Sequence, residues 1–350
     1  MRVLLVKTSS MGDIIHTLPA LSDAGKALPS IQFDWVVEDV FADIPKWHPL
    51  VSQVVPVALR RWRREIFTKN TRAEWKQLRT QLSEQRYDLI LDAQGLVKSA
   101  LLTFFARGTR SGLDWNSARE KFAALAYQRT HTVNFHQHAI VRMRQLFSQA
   151  LGYALPNDKP DFGINRPQFQ ETSLHGNYLV FLHGTTWATK LWPESYWVQL
   201  AHLAGKAGYG IKISGGSEEE MARAHRIASH TDKVEVIPQL TILEMAQLLA
   251  NSQGVVAVDT GFGHLAAALN IPTISLYGPT NPILTGALGR FSQHLAANFP
   301  CAPCLSRTCS YKKPTTVAPA CFETVQPNQV WAAWQKLMAV YKSEKGQFSP

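Results

Sequence analysis

The sequence predicts an α/β fold with two Rossmann-like halves, and three observations carry that prediction. Short apolar runs that read as buried parallel strands alternate with helical segments. The alternation runs once, stops at a polar, proline-containing stretch from Pro156 to Arg166, and then restarts. Finally, 350 residues with 45% hydrophobic content can build two ordinary cores. The expected organisation is a first domain over 1–160, a second over 167–330, and a C-terminal helix and tail over 331–350. The two domains should face each other across a central cleft.

The elements follow in order. The stretch from Arg2 to Lys7 reads as a first strand, KTSSMGD as a loop, and Ile14 to Leu28 as a helix. A second strand runs from Phe33 to Val37. A third runs from Tyr87 to Leu91 into the turn DAQG, with a helix from Leu96 to about Ala106. After the break, Tyr178 to Leu182 is a strand and HGTTWATKLWPES a long loop, whose Pro193 suits the first turn of a helix. The strand from Gly210 to Ile213 runs into GGSEEE, where Ser217 and Glu220 form a capping-box pattern, repeated by Thr241 and Glu244.

The most informative run is VVAVDTGFGHLAAALNIPTISLYGPTNP, from Val255 to Pro282. It reads as strand, glycine-containing turn, small-residue helix and strand. Such a βαβ unit aims free backbone N–H groups and the positive end of a helix dipole into the crevice beyond the strands. Asp259, Thr260, Gly261, Gly263 and His264 fall there, and the ligand they suit is an anion, most simply a diphosphate. The competing structural reading makes Asp259 or Thr260 an ordinary helix cap. His264 argues against it, because a histidine one turn into a helix of Leu and Ala faces that same crevice. The nicotinamide fingerprint G-x-G-x-x-G and the Walker A loop are absent from the candidate turns.

Composition narrows the setting. The net charge is +10, and residues 1–170 carry most of it, with 23 Lys and Arg against 15 Asp and Glu. A basic first half suits an acidic partner: nucleic acid, anionic lipid or anionic glycan. No apolar run approaches the ~20 residues of a membrane span, and the first strand is too short to read as a signal peptide. The expectation is a cytosolic chain in which disulfides do not form. The four cysteines are spaced C-x2-C-x4-C-x11-C. Cys301, Cys304, Cys309 and Cys321 are compatible with a structural Zn²⁺ site, or with free thiols packing a loop.

Several segments, in order along nearly the whole chain, resemble the ADP-heptose:lipopolysaccharide heptosyltransferases of glycosyltransferase family 9, most closely the type I branch. They are KTSSMGDIIHTLPAL, RRWRR at 60–64, DAQGLVKSA at 92–100, FLHGTT with the K-L-W-P that follows, the Glu-rich helix start at 218–220, and VDTGFGHL with YGPT. The resemblance implies the GT-B architecture, with the acceptor on the N-terminal domain and the nucleotide sugar on the C-terminal one. It implies an inverting, metal-independent transfer of L-glycero-D-manno-heptose from ADP-heptose to the Kdo of Kdo-lipid A. ADP-heptose is then a substrate, and no cofactor is required. The cysteine-rich insertion at 301–321 is closer to what some type II relatives carry, whose acceptor is a heptose.

By the same resemblance, Asp13 is the catalytic base and Lys190 meets the nucleotide phosphates. Thr185 and Thr186 can donate hydroxyl hydrogen bonds to those phosphates, and Glu220 can accept from the ribose. Asp13 also has a purely structural reading as a helix-start carboxylate, and Glu220 one as a capping-box residue. Arg60, Arg61, Arg63 and Arg64 suit the Kdo carboxylate and lipid A phosphates, with Trp62 at the membrane interface or on a sugar ring. Gln94, Lys98, Arg119 and His138 extend the acceptor face, while His131 and His136 read as surface residues. The expected setting is peripheral, on the cytoplasmic face of the inner membrane, with an anionic membrane surface as partner and no nucleic acid. Two other readings stand beside this one. A nucleotide-sugar 2-epimerase of the same fold would need no acceptor patch, so RRWRR argues against it. A nucleic-acid binder would leave the diphosphate turn without a purpose.

Overall fold

The computed structural model describes residues 1–171 and 176–346. The end of the expected C-terminal tail, 347–350, lies outside the described residues. By contact density the chain divides into Met1–Gly163 and Ile164–Pro350, and each unit carries one six-stranded, all-parallel sheet.

The first unit contains strands β1 (Arg2–Val6), β2 (Gln32–Glu38), β3 (Val51–Val57), β4 (Arg86–Asp92), β5 (Arg107–Leu113) and β6 (Arg129–His131), in the order β3-β2-β1-β4-β5-β6. Its helices are α1 (Met11–Ile15), α2 (Leu18–Ala27), α3 (Asp43–Lys46), α4 (Leu59–Arg64), α5 (Lys69–Glu84), α6 (Val97–Leu102) and α7 (Ala139–Leu151). The second unit repeats the plan with β7 (Tyr178–Leu182), β8 (Gly210–Ile213), β9 (Val234–Val236), β10 (Gly254–Val258), β11 (Thr273–Tyr277) and β12 (Ser292–Ala296), in the order β12-β11-β10-β7-β8-β9. Its helices are α8 (Glu194–Lys206), α9 (Glu218–Ala228), α10 (Ile242–Asn251), α11 (Gly261–Ala268), α12 (Pro282–Thr285) and α13 (Pro327–Gly346). Counted within its own unit, each sheet has the order 3-2-1-4-5-6. The order reverses between β1 and β4, and again between β7 and β10, and ligands of such sheets bind beyond the strand ends at that reversal.

The central strands are the continuous apolar runs, because both faces are covered by helices. β1, β7, β10 and β11 are buried almost throughout. Two expected helices are shorter than their patterns suggested. The Ile14-to-Leu28 stretch is two helices meeting at Thr17, where Pro19 sits in the first turn of the second. The stretch from Leu96 is α6 followed by a 3₁₀ turn, Thr103–Phe105.

The linker stretch is firmly held. Arg144 of α7 donates to both oxygens of Asp23 in α2, at 2.5 and 3.2 Å, and to the carbonyls of Asp158 and Pro156. Arg166 is anchored in the second unit, on the carbonyls of Ala250 and Ser252 and on the Tyr341 hydroxyl. Beneath α8, Trp192, Trp197 and Phe181 form one end of that unit's core, and Trp334 of α13 lies in the same cluster.

Two buried histidines give the fold a pH limit. His48 accepts from the Leu50 N–H and pairs with the Ser22 hydroxyl, while His183 pairs with the Ser214 carbonyl. Burial lowers each to about 4, against ~6.5 in an unfolded chain. Below pH 6.5 the unfolded chain takes up protons that these sites refuse. Their contribution is therefore fully present above that pH and is lost as pH falls toward 4. Urea midpoints should drop between pH 7.5 and pH 5, and less so in a His48→Gln variant. Equal drops in the two proteins would remove His48 from the account.

Candidate active site

The turns after β7 and β10 meet at the second sheet's reversal point, and they bring together the residues expected to hold a diphosphate. Asp259 ends β10 and is 8% exposed. Its Oδ2 accepts from the Lys190 ammonium at 2.8 Å and from the Thr280 hydroxyl at 2.7 Å. His264 Nε2 lies 3.8 Å from Oδ1. The Thr185 hydroxyl donates to the Asp259 carbonyl at 3.1 Å. Burial alone would raise the Asp259 carboxyl, but His264 and Lys190 outweigh it and hold the group ionised, well below the usual carboxylate range. A buried anion thus fixes a lysine and a histidine at the start of α11.

Thr260 occupies the N-cap position of α11, yet its side chain makes no capping hydrogen bond. The Thr260 side chain therefore does not cap α11, and the first N–H groups of a helix have no intrahelical acceptor. Gly263 lets the turn close, since a Cβ there would stand 3.1 Å from that of Ala257. Thr186 is exposed in the loop after β7.

Glu220 fulfils its structural reading in part. Its backbone N–H donates to the Ser217 hydroxyl, and its carboxylate accepts from Gly216 N at 2.7 Å. That carboxyl also rests on Gly184, where a Cβ would come within 2.5 Å of it. The glycine of HGTT therefore makes room for Glu220 beside Thr185. Sequence reasoning set the Thr280 loop at this sheet edge but missed two neighbours, which pair a ring with cations. The Trp187 ring has the Lys190 ammonium 4.6 Å from its centroid and the Arg307 guanidinium at 5.1 Å.

The first sheet's reversal point gathers the other expected residues. Asp13 is half-buried in α1, and its Oδ2 accepts from both the N–H and the hydroxyl of Ser10 at 2.8 Å. His138 caps α7 by accepting from Ile140 N, and its ring meets that of His16 edge-on at 5.6 Å. Gln94 is buried, and its side-chain oxygen accepts from the backbone N–H groups of Thr8 and Ser9. It thereby ties the β4 exit to the β1 exit. Lys98 and Arg119 are exposed.

Two buried ionisable groups at the ends of β1 and β4 were not disclosed by the sequence. Lys7 is 6% exposed and donates to the Ala93 carbonyl. Asp92 is fully buried, accepting from Tyr127, Ser99 and the amides of Gln94 and Gly95. Burial lowers the Lys7 ammonium; Asp13 and Asp92 oppose that shift, while Arg142 and Arg119 add to it. Asp13 likewise offsets the burial of Arg142. Tyr127 reaches Asp92 only because β5 carries Gly112, where a Cβ would stand 2.5 Å from the tyrosine ring.

Three expectations are corrected. Trp62 is 4% exposed, bonded through its indole N–H to Glu74 and packed on Trp75, so it is a core residue rather than an interfacial one. In a helix, neighbours one apart point ~100° apart, and Trp62 turns inward while Arg60, Arg63 and Arg64 remain exposed. Arg61 is exposed too, but it pairs with Glu74 at 2.8 Å. The aromatic ring exposed beside this run is Phe67. His131 is half-buried on the Ser111 hydroxyl rather than a surface residue. Cys301, Cys304 and Cys309 are exposed and Cys321 is buried; burial and the other three thiols push Cys321 up to about 11. Among the described residues, no three His, Cys, Asp or Glu side chains are placed to hold a metal ion.

Comparison with known proteins identifies the family and the fold. Residues 75–315 match the family model for glycosyltransferase family 9 (heptosyltransferase). The chain is 51% identical over 341 residues to lipopolysaccharide heptosyltransferase 1 of Pseudomonas aeruginosa, covering 94% of this chain and 96% of the relative. Among solved structures it resembles Escherichia coli heptosyltransferase WaaC with ADP, at 43% identity and TM-score 0.86, covering 96% of this chain and all of that one. The same enzyme with ADP-2-deoxy-2-fluoro heptose matches at 47% identity and TM-score 0.78, covering 85% and 93%.

Proposed function

The chain belongs to glycosyltransferase family 9, the heptosyltransferases, and from that premise we propose that it moves L-glycero-D-manno-heptose from ADP-heptose to the Kdo of Kdo-lipid A. The second unit is the donor unit and the first the acceptor unit. The observation that carries the donor assignment is the Asp259 carboxylate holding Lys190 and His264 beside the uncapped start of α11.

The chemistry needs a base at the acceptor hydroxyl and positive charge on the departing diphosphate. Asp13 takes the hydroxyl proton as the oxygen attacks the anomeric carbon. The bond from that carbon to the diphosphate oxygen breaks, and ADP leaves with the electron pair. An ammonium has three donors, so Lys190 can keep Asp259 and still reach a phosphate. His264, the α11 amides, Thr185 and Thr186 complete a preorganised site for the leaving charge. Glu220, whose carboxylate rests on Gly184, accepts from the ribose hydroxyls. On the acceptor unit, Arg60, Arg63, Arg64, Lys98, Arg119 and His138 supply forks and donors for carboxylate and phosphate. Arg61 contributes through Glu74 to holding α4 in place.

Among the described residues, no helix is long and apolar enough to cross a membrane. The acceptor of this reaction is embedded in the inner leaflet of the cytoplasmic membrane, and on this reading the enzyme meets it there as a peripheral protein. Incubation with ADP-heptose and Kdo-lipid A, followed by mass spectrometry of the lipid, tests the reaction. A gain of one heptose is expected, and no gain would overturn the assignment. The same gain is expected in EDTA, because Lys190, His264 and the α11 amides supply the charge that a divalent ion gives in other transferases. Loss of activity in EDTA, restored by Mg²⁺ or Mn²⁺, would show that they do not suffice.

A further inference from the structure

We propose that the outer face of α6, with the 3₁₀ turn after it and the 3₁₀ segment Lys121–Ala126, docks the protein on an anionic phospholipid monolayer. The inference rests on the reading that the acceptor is a lipid, and it names the surface that meets the membrane.

The observation is a set of large apolar side chains left in water. Val97, Leu101, Phe104, Trp115, Phe122 and Leu125 are all exposed, Phe122 to 69% and Leu125 to 74%. Positions 97, 101 and 104 are four and three apart and so share one face of the turn. The opposite side of α6 is used inside the fold, where Ala100 packs with Ala123 and Tyr127. The two segments are joined by the Glu120 carboxylate, which accepts from Val97 N at 2.7 Å. Trp115 and Phe122 meet edge-on at 5.4 Å. Arg110 lies over the Phe104 ring at 4.4 Å and donates to the Ala126 carbonyl, so Phe104 and the Leu125 turn border one patch. Proteins that stay in water rarely leave such a patch uncovered without a partner.

Charge selects the partner. Residues 97–130 contain six Lys or Arg (Lys98, Arg107, Arg110, Arg119, Lys121 and Arg129) and two acids. Both acids are engaged locally, Glu120 on α6 and Asp114 on Ser117 and Thr132. Exposed apolar side chains on a segment rich in cations complement an anionic lipid surface, with rings and leucines below the headgroups and basic side chains among them. A second copy of the chain would instead bring two segments of like charge together. Lys98 and Arg119, assigned above to the acceptor, adjoin Val97 and Glu120 of this surface, so the bound lipid headgroup and the membrane share it.

The test combines Leu101→Glu, Phe122→Glu and Leu125→Glu, three exposed positions outside the site, with the thermal midpoint confirming an unchanged fold. Wild-type protein should sediment with vesicles of phosphatidylglycerol and phosphatidylethanolamine, less with neutral phosphatidylcholine and less at high salt. The triple variant should partition at least ~10-fold more weakly. Its turnover should fall on an acceptor held in vesicles and match wild type on the same acceptor stripped of its acyl chains. Equal sedimentation of variant and wild type would overturn the proposal. So would a wild-type dimer, seen by sedimentation velocity, that the variant abolishes with no change in vesicle binding. Failure of both proteins on the stripped acceptor would count against the transfer reaction alone, since the vesicle measurement does not depend on it.

Discussion

Replacing Asp13 by alanine is expected to cut turnover by ~10²-fold or more while ADP still binds with its wild-type affinity. The donor residues all belong to the second unit, so loss of a base in the first should spare nucleotide binding. Asp13 also has a structural task, since its Oδ2 accepts from the Ser10 N–H and hydroxyl at the start of α1. A lost cap costs ~1 kcal/mol, so the alanine variant alone mixes two effects. Asparagine separates them. An amide oxygen at position 13 still accepts from Ser10 but cannot take a proton at neutral pH. Asp13→Asn should therefore melt like wild type and be as inactive as the alanine variant. If Asp13→Asn retains turnover, the carboxylate is a cap and the base lies elsewhere.

The second large effect is expected at Lys190. Lys190→Ala should lower kcat/KM for ADP-heptose by ~10²-fold, the usual scale for one preorganised contact to leaving charge. KM for the acceptor should change little. His264→Ala should act in the same direction, because both side chains are placed by Asp259. The two losses should combine to less than their product, since residues that share a partner are coupled. Donor kinetics on the two single variants and the double variant would measure this. Wild-type donor kinetics in both single variants would move the diphosphate away from α11.

Much of this was legible in the sequence, for a specific reason. β1, β7, β10 and β11 are buried on both faces and so appear as unbroken apolar runs between turn residues. The site turns follow directly from the ends of three of them. The edge strands β3, β6, β9 and β12, and β5 beside one of them, were not legible. β3 carries Pro56, which an edge strand tolerates. β5 reads RGTRSGL, polar and glycine-rich, because its apolar partners come from elsewhere in the fold. The site divides in the same way. Asp13, Lys190 and the Asp259–His264 turn lie in local patterns that a linear reading can find. Lys7, Arg142 and Arg307 meet their neighbours only through the fold, and an Arg or Lys in sequence looks the same whether solvated or buried. Trp62 misled because a tryptophan among arginines looks exposed until the helix turns it inward.

The tyrosine seated on Gly112 limits how this sequence can drift. Its ring occupies the space where any side chain at 112 would begin, and its hydroxyl helps keep a buried aspartate hydrogen-bonded beside Lys7. A larger residue at 112 would have to arrive with a smaller one at 127, and that exchange would strip Asp92 of a donor in the middle of the sheet. Descendants of this chain can therefore enlarge position 112 only after shrinking position 127, so glycine should persist wherever the tyrosine does.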